Sequence, residues 1–179
     1  MEEEQHTLMQ NERPTIFLDH DETLMWSRSK VTGSKEFMFQ MPGGRQEASY
    51  TILRPGAIEF LEALKARGYR IAMLTQGWAS FQLACLSQYG IQEYFEEIYG
   101  YTPDGGLTWE IEELPPQGKW LLVDNMEADD YYRTSIKRNW LRSGDFRQGV
   151  NYLTCEDFTG YDNGQYLTSL LPEIYRILG

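Results

Sequence analysis

A chain of 179 residues with 41% hydrophobic content is long enough for one well-buried core and short for two ordinary domains, so a single domain over 13–179 is expected. Its 27 acidic against 16 basic side chains leave a net charge of −11, a field that repels polyphosphate backbones and argues against nucleic acid as a partner. Cys85 and Cys155 show neither paired zinc spacing nor a disulfide framework, and no run approaches the length of a membrane span, so a soluble, cytoplasmic protein is expected. Residues 1–12, acidic and polar, lack the positive start and apolar stretch of a signal peptide and read as a flexible segment.

Thr15-Ile16-Phe17-Leu18 is a short apolar run that stops at Asp19-His20-Asp21-Glu22-Thr23, as a buried parallel strand does where it empties into a polar loop. Phe37, Phe39 and Met41 before Pro42-Gly43-Gly44, with Tyr50, Ile52 and Leu53 after it, predict a hairpin over 36–53. Pro55 opens a helix carrying Ile58, Phe60, Leu61 and Leu64 at helical spacing, and Gly68 closes it. Tyr69 to Leu74 is a strand capped by Thr75, and 78–89, with Trp78, Phe81, Leu83, Cys85 and Leu86, is a helix. A short strand at 97–100 precedes a loop, 101–118, rich in Gly, Pro and acid. Trp120 to Val123 repeats the first strand's pattern and stops at Asp124-Asn125. A partly helical stretch at 127–140, a strand at 150–153 and an amphipathic helix from Gln165 to Leu178, interrupted by Pro172, complete the chain. Strands alternating with helices imply an α/β fold, a mostly parallel sheet covered on both faces.

Ligands of open parallel sheets bind beyond the carboxyl ends of the strands, so Asp19, Thr75 and Asp124 are candidates to converge. A carboxylate can attack phosphorus, and a second carboxylate two residues on can donate and accept the proton, which Asp19 and Asp21 would do. The Asp19 carboxylate and the Asp21 carbonyl could share a hard cation, Mg2+, whose shell Asp124 and Asn125 complete. Thr75, with the backbone N–H groups near Gln76 and Gly77, would hold a phosphoryl oxygen.

FLDHDETLMWS, LRPGAIEFLEAL, AMLTQG and LLVDN together resemble the haloacid dehalogenase pattern, in particular the Fcp/Scp-type, NLI-interacting-factor-like phosphatases with their LDLDETLxxS loop. His20 replaces an apolar residue of that loop, Ser27 stands at its serine, Arg54-Pro55-Gly56 with Glu59-Phe60-Leu61 resembles RPxxxEFL, and Phe158 to Leu171 is similar to the family's ending. The resemblance implies a Rossmann-like sheet with a small β insertion instead of a large cap. It also implies Asp19 as nucleophile, Asp21 as general acid and base, Thr75 as phosphate ligand, and Asp124 with Asn125 on the metal side. Thr23 and Lys119 join the phosphate-binding set.

The superfamily's lysine is the point of departure. Lys119 is the one basic residue between Thr75 and Asp124, and five residues of strand at about 3.3 Å each would leave it roughly 16 Å from Asp124. Arg28, Lys30, Lys35 or Arg45 would otherwise have to supply the charge. His20 reads as a packing residue, Trp26, Trp78, Trp109, Tyr131 and Tyr132 as core or pocket rim, and Asp129 and Asp130 as a helix start or outer-shell acid. Hydrolysis of a phosphomonoester is the leading expectation, with phosphoserine or phosphothreonine protein as the substrate the resemblance implies. A small phosphorylated metabolite, or a catalytically weak binding module, is the alternative. Oligomeric state is open.

Overall fold

The computed structural model describes residues 13–108, 118–127 and 146–179. The flexible segment expected at 1–12, the acidic loop with Trp109, Glu110, Glu112 and Glu113, and nearly all of the helix expected at 127–140, with Asp129, Asp130, Tyr131 and Tyr132, lie outside the described residues.

Five parallel strands form the central sheet: β1 (Thr15–Leu18), β5 (Arg70–Trp78), β6 (Glu97–Tyr101), β7 (Trp120–Asp124) and β8 (Tyr152–Thr154), in the order β6-β5-β1-β7-β8. β1 is central and buried along its whole length, which is why it reads as an unbroken apolar run. Alternate residues serve opposite faces. Ile16 and Leu18 join Ile71, Met73, Leu121, Val123 and Leu153 under the helices α1 (Ala57–Ala66), α2 (Ala79–Ser87), α3 (Tyr166–Ser169) and α4 (Leu171–Leu178). Phe17 joins Ala72, Leu74, Leu122, Tyr99 and Tyr152 on the other face, where Phe146 packs edge-on to Tyr152. All the described helices of the core lie on the first face.

The insertion between β1 and α1 is a small antiparallel sheet of β2 (Met25–Trp26), β3 (Lys35–Gln40) and β4 (Gln46–Leu53), in the order β2-β4-β3. The expected hairpin is β3–β4, and β2, two residues long, is too short to show a period in sequence.

Three local expectations need correction. β5 does not stop before Thr75 but runs to Trp78, because after an irregularity beyond Leu74 the strand pairs again with β6 at Tyr101. β8 starts two residues later than expected: Val150 is exposed in a turn whose N–H groups converge on the Arg147 carbonyl, and Gly149 supplies a φ of +73°. Ile58 and Leu83 point outward, since the core-facing stripes of their helices are filled by Phe60, Leu61 and Leu64 and by Gln82, Cys85 and Leu86. The expected interruption of the last helix is present: α3 ends at Ser169 and α4 starts at Leu171, with Pro172 in its first turn, where no N–H is needed. Among the described residues no helix is long and apolar enough to cross a membrane, and both cysteines are free thiols.

Candidate active site

β1, β5 and β7 deliver their polar ends to one edge of the sheet. Leu18 is in register with Met73 and Val123, and the next amide, Asp19 N–H, donates to the Val123 carbonyl at 3.0 Å, which sets Asp19 beside Asp124. The chain then turns sharply: the His20 carbonyl accepts the N–H groups of Leu24 and Met25 at 3.1 and 3.0 Å, and Glu22 takes a left-handed φ of +62°. A non-glycine residue in that region is strained, and such strain is characteristic of functional loops.

Thr23 is the buried hub of this turn. Its hydroxyl lies 3.4 Å from Asp19 Oδ2 and 3.3 Å from Asn125 Oδ1, and it accepts the Asn125 N–H at 3.1 Å. The Asn125 amide nitrogen donates to Glu22 and, at 2.9 Å, to Asp157 Oδ1, and its oxygen is turned toward Thr23. Asp124 is buried and caps the following turn through the Met126 N–H, which donates to its Oδ1 at 2.8 Å.

Asp21 is held from three sides. Its Oδ1 faces His20 Nδ1 at 3.2 Å and accepts from Ser27 Oγ at 3.0 Å, while its Oδ2 accepts from Gln82 Nε2 at 3.2 Å. Partial burial pushes this carboxyl up, but the His20 bond and charge, with Ser27 and Gln82, outweigh it and hold Asp21 below its ordinary value. Gln82 Nε2 also lies 3.3 Å from Thr75 Oγ1, which accepts the Gly77 N–H at 3.0 Å. Gln82 was not singled out in the sequence, where a glutamine in an apolar helix reads as a solvent-facing residue. It is 1% exposed, and its Oε1 has no partner among the described residues, at a cost of about 1–3 kcal/mol. His20 is fully buried with Nε2 likewise unpartnered, so its packing role costs a polar group.

Among the described residues, the cations that the sequence offered for the phosphate stand elsewhere. Lys119 is exposed at the opposite edge of the sheet: its carbonyl accepts the N–H of Thr15, the first residue of β1, and its Nζ lies beside Gly179. The strand is extended, so Lys119 does not reach Asp124. Arg28 pairs with Glu22 at 2.9 Å, Lys30 lies near Glu36 and over Tyr50, Lys35 donates to the Gln88 carbonyl over Tyr89, and Arg45 pairs with Glu47. Arg133, Lys137, Arg138 and Arg142 lie outside the described residues. Trp26 donates to the Ser29 carbonyl, and Trp78 lines, with Gln76, Gly77, Tyr101 and Pro103, a cleft of about 410 Å³ beside the Thr75 loop.

The candidate ligands named from the sequence, the Asp19 and Asp124 carboxylates, the Asp21 carbonyl and the Asn125 amide, are all oxygen donors. Among the described residues no three His, Cys, Asp or Glu side chains form a cage by themselves. A cation here would draw on carbonyl, amide and water oxygens, the shell that magnesium prefers. The Thr23 hydroxyl lies within reach of both Asp19 Oδ2 and Asn125 Oδ1, so these two oxygens are near neighbours.

The family model of the haloacid dehalogenase-like hydrolases matches residues 36–131. That range includes Thr75, Gln82 and Asp124 but begins after the Asp19–Thr23 loop. No curated protein sequence matches the chain. Two structures of the RNA polymerase II CTD phosphatase Fcp1, one of them a fission yeast variant bound to beryllium fluoride, are each 16% identical to the chain, with TM-scores of 0.53 and 0.54. The alignments cover 98% of this chain but 52% and 54% of those, so the chain spans about half their length. A HAD-superfamily hydrolase from Ehrlichia chaffeensis is 12% identical with a TM-score of 0.53, over 94% of this chain and 99% of that one. At these identities the likeness is one of fold.

Proposed function

The chain belongs to the haloacid dehalogenase-like hydrolases, and on that premise we propose that it is a magnesium-dependent phosphatase that forms an aspartyl-phosphate on Asp19. The observation that carries this reading is the Asp19 carboxylate at the edge of β1, locked to β7 through its amide, with Asp21 poised two residues on. An Asp19 oxygen attacks phosphorus, the bond from phosphorus to the ester oxygen breaks, and Asp21 delivers its proton to the departing alcohol. Asp21 then takes a proton from water, the resulting hydroxide attacks the same phosphorus, and the bond to Asp19 breaks to release inorganic phosphate. Thr75 and the Gln76 backbone would bind phosphoryl oxygens, with the Gly77 N–H, which donates to Thr75 Oγ1, orienting that hydroxyl and Thr23 keeping the Asp19 carboxylate in place. When bound by Asp19, the Asp21 carbonyl, Asp124 and Asn125, Mg2+ would screen the repulsion between carboxylate and phosphate dianion.

Phosphoserine or phosphothreonine in a protein chain is the substrate class we favour. The whole segment between β1 and α1 is described and holds only the small three-stranded sheet, so no large cap from that segment closes the edge against a macromolecule. The fold shared with a CTD phosphatase points the same way. The second reading, a binding module with weak turnover, is favoured by the displacement of Lys119 and by the engagement of Arg28, Lys30, Lys35 and Arg45 elsewhere.

The test is phosphate release from p-nitrophenyl phosphate. The wild type is expected to turn over with magnesium and to stop when the ion is chelated, and Asp19→Asn is expected to lose at least a hundredfold. A wild type inert on this ester and on phosphopeptides would leave the binding module standing.

A further inference from the structure

Gln82 sits where a simple core would place a leucine or methionine. Its neighbours on the buried stripe of α2, Cys85 and Leu86, are apolar, yet this side chain extends its amide to the edge of the sheet. The two protons of Nε2 are directed to two candidate site residues on different elements, Asp21 Oδ2 at 3.2 Å and Thr75 Oγ1 at 3.3 Å. The amide also explains the glycine at 77: a Cβ there would lie 2.4 Å from Gln82 Nε2, and Gly77 has an ordinary φ, so what the position excludes is side-chain volume. Retaining a half-satisfied buried amide, and a glycine to accommodate it, is costly for a structure that an apolar residue would pack equally well.

We propose that Gln82 is a positioning residue for proton transfer: it holds the Asp21 carboxylate in one rotamer and ties it to the phosphate-binding Thr75, so that the proton donor is fixed relative to the leaving oxygen. This assignment rests on the phosphatase reading above and adds a residue that touches neither phosphate nor ion. Its effect falls on the leaving group. An ester that departs as a stable phenolate needs little help from Asp21, whereas an alkyl or unactivated aryl ester needs the proton delivered accurately.

The experiment compares kcat/KM for p-nitrophenyl phosphate and for phenyl phosphate in wild type, Gln82→Met, Gly77→Ala, Gln82→Ala and the Gln82→Ala/Gly77→Ala double variant, with melting temperatures alongside. Gln82→Met keeps the volume and removes the donor. It is expected to reduce phenyl phosphate turnover about tenfold while p-nitrophenyl phosphate falls less than about threefold. Gly77→Ala, which pushes the amide from the other side, is expected to reproduce this widening of the substrate ratio and to add nothing to it in the Gln82→Ala background, where the space is open. Equal losses on both esters in Gln82→Met and Gly77→Ala, or no loss in either, would reduce Gln82 to a packing residue and overturn the assignment while leaving the phosphatase reading intact. A wild type inert on both esters would overturn the reading and the assignment together.

Discussion

The two thiols show how burial alone sets a residue's chemistry. Cys155 lies under the acidic loop with its Sγ 3.7 Å from Thr23 Oγ1, and Cys85 lies in the core below Asp21. Desolvation by burial is the dominant cause that pushes each up to about 12, only partly offset by hydrogen bonding with Thr23 and Thr51 respectively. Both therefore keep their protons in the folded chain at a pH where the unfolded chain ionises. The stability they contribute is complete below the unfolded value of about 9 and falls as pH rises from there toward 12. Neither thiol should react with iodoacetamide at pH 8 in the native protein, and both should react once urea unfolds it; labelling of native Cys155 would contradict its burial. At this scale Asp19, Asp21, Thr75 and Asp124 were legible as candidates because each terminates or follows an apolar run. Gln82 was not, because its partners Asp21 and Thr75 belong to other elements.

At the scale of elements, the start of α1 depends on a glycine for two reasons. Gly56 has a φ of +82°, and a Cβ on it would come 2.4 Å from the carbonyl oxygen of Gly164. Gly56→Ala should lose about 1–3 kcal/mol in urea unfolding, because backbone strain and a backbone collision act together and neither can be relieved by a rotamer change. An unaltered midpoint would mean that the 160–165 segment yields. The same scale explains why β5 outran its expected end. Hydrophobic pattern detects burial, which stops at Thr75, but strand pairing is a backbone property, and β6 continues the pairing to Trp78 across the irregular Thr75–Gly77 stretch. Irregularities of this kind next to a site re-aim side chains, here the Thr75 hydroxyl toward Gln82.

Across the whole molecule, Arg54 joins the beginning of the site to the end of the chain. Only 2% exposed, it donates to the Thr23 carbonyl at 3.2 Å, the Glu156 carbonyl at 2.9 Å and Asp162 Oδ2 at 2.7 Å, and its guanidinium stacks 4.4 Å from the Tyr166 ring. Arg54→Met strands a buried carboxylate and should cost about 3–5 kcal/mol, read as a shift in the urea midpoint; adding Asp162→Leu should restore much of that loss. Loss without recovery would assign the effect to the Thr23 and Glu156 carbonyls instead. The α/β class, the hairpin and the polar strand ends at 19 and 124 were determined by the sequence itself, because an apolar run followed by an acidic loop reports burial and then exposure along one stretch of chain. The distance of Lys119 from Asp124 followed from strand length in the same way, whereas tertiary structure alone decided that Gln82 reaches Asp21 and that Arg54 finds Asp162. Those outcomes depend on register and on contacts between residues distant in sequence, which no local pattern encodes.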